Sequence, residues 1–221
     1  MIPLSNPSPA APPEFDGAFR AQLAALLAWR RDVRRFRGDA LPAGALDRLI
    51  ETACLAPSVG LSQPWRFVIV GEAARREAVR EEFRASNAQA LAAYSGDRAA
   101  RYAALKLEGL REAPEQFAVF CDRATTAGHG LGRRTMPEMA EYSVVAAVCT
   151  LWLAARAEGL GLGWVSILDP TRMAALLEVP PDWRFIGYFC LGYPLNEDDR
   201  PELERARWER RRPAQTCVLR R

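Results

Sequence analysis

The 221-residue sequence has little of the chemistry on which hydrolases and metalloproteins depend. It contains one histidine, His129, and no serine in a GxSxG context, so serine–histidine nucleophilic catalysis is not supported. Its five cysteines are separated by at least 27 positions, which excludes a CxxC metal knuckle and a dense disulfide framework. We therefore expect no metal site, and the cysteine pattern favours a reducing, cytoplasmic location.

The sequence also lacks a concentrated charge and a long hydrophobic run. Its 30 basic and 27 acidic residues are spread along the chain, so no basic face for nucleic acid is expected. The longest apolar stretch, residues 142–157, has polar ends and is too short to cross ~30 Å of hydrocarbon. It is typical of a core helix or of an interface helix. The sequence therefore predicts neither a nucleic-acid nor a membrane partner.

The order of the predicted elements indicates an α+β fold. Residues 1–14 form a proline-rich arm unlike a signal peptide, and residues 15–221 show no repeat and no linker, which predicts one domain. Because helices and strands follow one another without a sustained βαβ alternation, a layered α+β arrangement is favoured. Hydrophobic periodicity and breaker residues predict helices over 15–29, 43–55, 72–93, about 96–114, 137–158 and 171–179, and strands over 65–72, 116–122, 161–168 and 183–194.

Two glycine runs resemble a dinucleotide fingerprint only superficially. "GHGLG" over 128–132 and "GLGLG" over 159–163 do not match GxGxxG, and the second follows a helix and precedes a strand, which is the reverse of the order that a Rossmann fold requires. A helix C-cap and a tight turn explain Gly159 and Gly161. Close approach of the backbone to a flat ligand would require such glycines equally.

The stretch "WRRDVRRF", residues 29–36, places one carboxylate, Asp32, among four arginines. Arginine is favoured at a helix C-terminus by the helix dipole, and Asp32 could be no more than a solvated partner. Alternatively, the guanidinium groups of Arg30, Arg31 and Arg34 bind a phosphate and a polar ring edge through paired hydrogen bonds, which arginine does better than lysine. The residues alone leave both interpretations open.

A second polar stretch, "LAPSVGLSQPWRFV" over 55–68, lies between a predicted helix and a buried strand. It is either a plain loop or a rigid turn that offers Ser58, Ser62, Gln63 and backbone N–H groups to the edge of a heterocycle. Spacing does not distinguish these two interpretations.

Taken in order, several stretches resemble the flavin-dependent nitroreductase superfamily over residues 29–213. They are "RRDVRRF", "APSVGLSQPWRF", "SGDRAARYAALKLEGLREAP", "CDR", "LWLAARAEGLGLGWVSI" and "CLGYP". The resemblance is to the branch whose members make 5,6-dimethylbenzimidazole, the lower ligand of vitamin B12. It implies a three-layer α+β fold, with a central mainly antiparallel sheet flanked by helices, in an intertwined homodimer with flavin at its interface.

The resemblance also implies site residues. Asp32, where related reductases commonly carry serine, and Ser166 are implied to be catalytic. The segment 95–109 matches a lid over the flavin, and Arg211 in the extended tail is implied to reach the phosphate. The implied flavin-contacting residues are Arg30, Arg31, Asp32, Val33, Arg34, Pro57, Ser58, Leu61, Ser62, Gln63, Arg101, Tyr102, Lys106, Gly163, Ser166 and Arg211, with the turn at 57–63 contributed by the partner subunit.

The implied activity uses reduced flavin mononucleotide (FMN) as the substrate and dioxygen as the co-substrate, and it releases the sugar phosphate. The hypothesis for the stretch at 29–36 is that the arginines hold the anionic ligand and favour the ionised form of Asp32, which then serves as an acid or base. A separate flavin reductase is expected as a partner because no nicotinamide fingerprint is visible. The alternatives are a flavin-retaining NAD(P)H nitroreductase or dehalogenase and a non-catalytic flavin-binding protein.

Overall fold

A computed structural model describes residues 12–221, so most of the predicted arm at 1–14 lies outside the described residues. The helices are α1 Gly17–Trp29, α2 Ala45–Ala53, α3 Ala73–Ala92, α4 Gly96–Ala103, α5 Met139–Ala157, α6 Pro170–Leu176 and α7 Glu202–Arg205, and the strands are β1 Trp65–Ile69, β2 Glu115–Asp122, β3 Gly161–Val165 and β4 Trp183–Gly192. Short 3-10 turns lie at Val59–Leu61, Ala127–Gly130 and Ala214–Cys217. The α+β class predicted from the sequence is confirmed.

The four strands form one antiparallel sheet in the order β1-β2-β4-β3, which places β1 and β3 at opposite edges. Side chains alternate between two buried faces, as the period of a strand requires. Phe117, Val119 and Phe189 pack on one face, whereas Phe120 and Tyr188 pack on the other. Helices cover both faces, so the predicted three-layer arrangement is confirmed.

Helix α5 is the core helix that the sequence predicts. It buries seven residues, including Val144, Val148 and Leu151, against α2 and the sheet. Among residues 12–221 it is the helix that meets the length and composition of a membrane span, and it buries one face against the rest of the chain as a core helix does. Burial of this face in the protein core therefore explains the apolar sequence of α5.

Helix α1 has no such cover among residues 12–221. None of its residues is buried, and Phe19, Leu23, Leu27 and Trp29 are exposed. A helix this apolar is not expected to face water along its whole length, because large exposed apolar patches mark contact surfaces. The exposed face of α1 is therefore a candidate protein interface.

The structure corrects several predicted boundaries, and two of them bear on the site. Helix α4 ends at Ala103 and does not continue to about 114, because tertiary contacts hold the next residues: the Lys106 carbonyl accepts a hydrogen bond from Arg34, and Gly109 packs against the Phe36 ring with no room for a Cβ. Strand β3 pairs with β4 only as far as Val165, so residues 166–168 of the predicted strand lie outside the observed one.

The buried cysteines of the sheet give a test of this packing. Burial raises the pKa of Cys121 to about 12, and it also raises the pKa of Cys190. Since the thiolate is the reactive form, both should react with a thiol reagent at pH 8 only after denaturation, whereas exposed Cys217 should react in the native protein. Timed alkylation followed by peptide mass mapping measures this. Native labelling of Cys121 as fast as Cys217 would contradict the packing.

Candidate functional site

The segment that follows α1 runs along the free edge of β3 without forming a helix or strand of its own. The Val33 N–H donates to the Leu162 carbonyl over 3.0 Å, and Asp32 forms an isolated parallel bridge with Leu162. This close approach depends on glycine, because a Cβ at Gly163 would overlap the Val33 carbonyl oxygen and a Cβ at Gly161 would lie 2.7 Å from the Val33 side chain. Gly161 and Gly163 thus accommodate the chain's own backbone.

The carboxylate of Asp32 is held by two different elements. Its Oδ1 accepts a hydrogen bond from the Trp164 N–H in β3 at 2.9 Å. Its Oδ2 accepts from Nη2 and Nε of Arg34 at 2.8 and 3.2 Å. The Asp32 side chain is still 30% exposed. The carboxylate is therefore fixed in position and open on one side.

Two of the predicted arginines are used to hold this arrangement. Arg34 also donates from Nη1 to the Lys106 carbonyl over 3.1 Å, which joins Asp32 to the segment after α4. Arg31 donates to the main-chain carbonyls of Arg30, Asp198 and Asp199, so it fastens the start of the tail to the site. Their guanidinium groups are thus bonded within the protein.

The two other arginines, Arg30 and Arg211, have no hydrogen-bond or ion-pair partner among residues 12–221. Both line a cavity of about 240 Å³, together with Arg31, Asp32, Arg34, Pro201, Glu202 and Leu203. The pKa of Arg31 is lowered, first by burial and then by the charges of Arg211 and Arg30. Such uncompensated positive charge fits an anionic group such as a phosphate.

Acidic side chains near this cavity are paired with other arginines. Glu202 forms an ion pair with Arg35, and Asp198 pairs with Arg205 at 3.0 Å. They therefore do little to neutralise Arg30 and Arg211, and the cavity keeps its positive character.

The turn at 57–63 has an unusual backbone and an internal hydrogen bond. Its backbone has positive φ at Gly60, Leu61 and Gln63, and the Gln63 N–H donates to Ser58 Oγ over 3.1 Å. Leu61 is 77% exposed, while Ser62 is buried with its Oγ unpaired within the described chain. Pro57 begins the turn. An unpaired buried hydroxyl beside exposed side chains fits a turn that a ligand completes.

This turn and the arginine cavity lie at opposite edges of the sheet. The turn precedes β1 and the arginine segment follows the outer edge of β3, so three strand spacings, about 14 Å, separate the two edges. A single chain does not bring the two halves of the candidate site together.

Ser166 and the predicted lid residues Arg101, Tyr102 and Lys106 differ in their exposure and in their bonding partners. Ser166 is exposed and is the first residue after β3, two positions beyond the amide that binds Asp32. Tyr102 is buried in an aromatic cluster with Tyr94 and Trp208, and its hydroxyl donates to Asn87 over 2.8 Å. Arg101 is exposed, and Lys106 pairs with Glu108 and Glu112 at 3.3 and 3.2 Å. Of these four, Ser166 and Arg101 are the ones exposed to solvent.

Sequence reasoning missed the two tryptophans that hold the arginine segment. The Trp152 indole N–H donates to the Arg31 carbonyl over 2.9 Å, and the Trp164 main chain binds Asp32. Both lie in apolar stretches that predict only a core helix and a buried strand. A signal was available for Trp152, because an indole in an apolar helix needs a hydrogen-bond partner.

The chain is similar to known proteins in sequence and in fold. The Nitroreductase family model matches residues 27–193. The chain is 57% identical over 201 residues to a 5,6-dimethylbenzimidazole synthase of Rhodospirillum rubrum, with 91% of this chain and 95% of that protein covered, and 48% identical to one of Rhodobacter capsulatus, with 91% and 97% covered. A crystal structure of an iodotyrosine deiodinase bound to FMN and 3-iodo-L-tyrosine is 25% identical, with a TM-score of 0.67 over 80% of this chain and 91% of that one.

The close approach at β3 gives a test of the site's framework. Gly163→Ala would place a methyl group against the Val33 carbonyl, so we expect it to lower the free energy of unfolding by about 1–3 kcal/mol. Gly71→Ala is the matched control, since a Cβ there meets nothing within 4 Å. Urea unfolding measures both variants. Equal stabilities of the two would mean that segment 32–34 does not lie against β3.

Proposed function

Since the chain belongs to the nitroreductase family, we propose that it converts reduced FMN and dioxygen into 5,6-dimethylbenzimidazole. The resemblance to this family, noted on the sequence, is confirmed. Two relatives with 57% and 48% identity over nine tenths of the chain carry the name of this activity, which supports the proposal. FMN is then consumed as a substrate, and dioxygen is the oxidant.

The observation that carries the proposal is the fixed and partly exposed carboxylate of Asp32. Two oxygens held by three hydrogen bonds leave the side chain little freedom, and a positioned carboxylate can accelerate a proton transfer ~100-fold or more. Asp32 faces the arginine-lined cavities, where an anionic ligand would be held. Asp32 would take or give a proton at the flavin ring or ribityl chain, and Ser166 would donate a hydrogen bond at the same edge.

Reduced FMN, when bound, supplies the ring carbons of the product and the electrons that reduce dioxygen. The residues of this chain bind and orient it. Arg30 and Arg211 would bind the phosphate through their unpaired guanidinium groups. The turn Pro57, Ser58, Leu61, Ser62 and Gln63 would contact the ring system. Helix α4 and the segment to residue 109, with Arg101, Tyr102 and Lys106, would cover the site and exclude water.

A homodimer would complete the site. The turn and the arginine cavity lie on opposite edges of the sheet, so the turn would come from the second copy, and the exposed apolar face of α1 supports such an interface. A separate flavin reductase would supply the electrons, and the reducing cytoplasm fits the free thiols.

The role of Asp32 is tested by removing its charge. We expect Asp32→Asn to lower the rate of 5,6-dimethylbenzimidazole formation about 100-fold while FMN still binds, because the amide keeps the shape of the side chain but cannot serve as a base. Asp39→Asn is the matched control: Asp39 is an exposed carboxylate paired with the arginine two positions away, Arg37. Product is measured by mass spectrometry after reduced FMN and air are added. Parental rates in Asp32→Asn would refute its assignment.

The phosphate site is tested by comparing two flavins. Arg211→Ala should raise the Kd for FMN about ten-fold or more, because a charged hydrogen bond to the phosphate is lost. Riboflavin has no phosphate, so its Kd should stay unchanged. The neighbouring exposed arginines provide the controls Arg210→Ala and Arg212→Ala, for which we expect less than a two-fold change. Quenching of flavin fluorescence measures the Kd of each flavin for the wild type and the three variants. Equal losses for both flavins would place Arg211 away from the phosphate.

A further inference from the structure

Trp152 makes two contacts with the arginine segment from the C-terminal half of α5. Its indole N–H donates to the Arg31 carbonyl over 2.9 Å. The face of its ring lies under the Arg30 guanidinium, 4.7 Å from the ring centroid. One side chain thus contacts two consecutive residues of a segment that has no secondary structure of its own.

The first contact acts on the backbone next to Asp32. The carbonyl of Arg31 and the nitrogen of Asp32 belong to one planar peptide unit, so fixing the carbonyl also fixes the plane from which the Asp32 side chain departs. The Val33 N–H and the Asp32 carboxylate bind β3 on the other side of this peptide. The segment is therefore held between α5 and β3.

The second contact acts on Arg30. Arg30 has no hydrogen-bond or ion-pair partner among the residues that the structure describes, and its guanidinium lines the cavity of about 240 Å³. A cation held over an indole ring is stabilised without any loss of its hydrogen-bond donors. The ring of Trp152 therefore restricts Arg30 to one region and leaves its N–H groups available to an anion.

We propose that Trp152 is a positioning residue: its indole N–H sets the peptide that presents Asp32, and its ring face presents Arg30 to the phosphate of the flavin. This inference rests on the proposed function. It assigns different consequences to the two contacts, since the first governs the chemical step through Asp32 and the second governs flavin affinity through Arg30.

The test uses two variants of the full-length protein. Trp152→Phe keeps an aromatic face but removes the N–H, so we expect kcat for 5,6-dimethylbenzimidazole formation to fall about three- to ten-fold while the Kd for oxidised FMN changes less than two-fold. Trp152→Leu removes both contacts, so the same fall in kcat should come with a three- to ten-fold rise in Kd. Trp183→Phe is the control. Trp183 also lies under an arginine, with the guanidinium of Arg66 5.9 Å from its ring centroid, but it is at the end of β4 that is distant from the arginine segment.

A double-mutant cycle with Arg30→Ala separates positioning from a general loss of structure. In the Arg30→Ala background, Trp152→Leu should raise the Kd for FMN less than two-fold further. Additive effects on Kd, or an unchanged kcat in Trp152→Phe, would overturn the inference. If Arg30→Ala alone left the Kd unchanged, the proposed role of Arg30 in flavin binding would fail, and the kcat of Trp152→Phe would still decide the role of the indole N–H.

Discussion

The site depends on the attachment of a short irregular segment to the edge of β3. Asp32 is held there by the Trp164 amide and by the guanidinium of Arg34, and Gly161 and Gly163 leave the space that its backbone needs. A carboxylate on a free loop would sample many positions. Here its position is set by a strand of the central sheet.

Helix α5 supports both halves of the site. Near its start, Ser143 Oγ accepts a hydrogen bond from the Val59 N–H at 3.0 Å and so holds the turn at 57–63. Nine residues further along, Trp152 holds the arginine segment, and nine residues of helix span about 14 Å. One buried helix thus fixes the distance between two half-sites that a single chain keeps apart. In the proposed homodimer, a second copy would join each half to its complement, and the exposed apolar face of α1 would supply contact surface.

Local patterns were enough to predict most of the fold. The four strands and the core helix follow from apolar runs, periodicity and breakers, and the boundaries of α5 differ from the prediction by two residues or fewer. The prediction for α4 was wrong because its end is set by Arg34 and Phe36, which are distant in sequence. The same limit applies to the arginines. Sequence grouped Arg30, Arg31 and Arg34 together, but tertiary contacts bond two of them within the protein and leave Arg30 available.

The central claim is that the fixed carboxylate of Asp32 directs bound flavin toward ring fragmentation in the presence of dioxygen. The most direct measurement is the mass balance of small molecules after the wild-type protein, supplied with reduced FMN, is exposed to air. We predict that 5,6-dimethylbenzimidazole forms as FMN disappears. Complete recovery of FMN with hydrogen peroxide as the sole reduced-oxygen product would contradict the claim and would describe a flavin-retaining reductase.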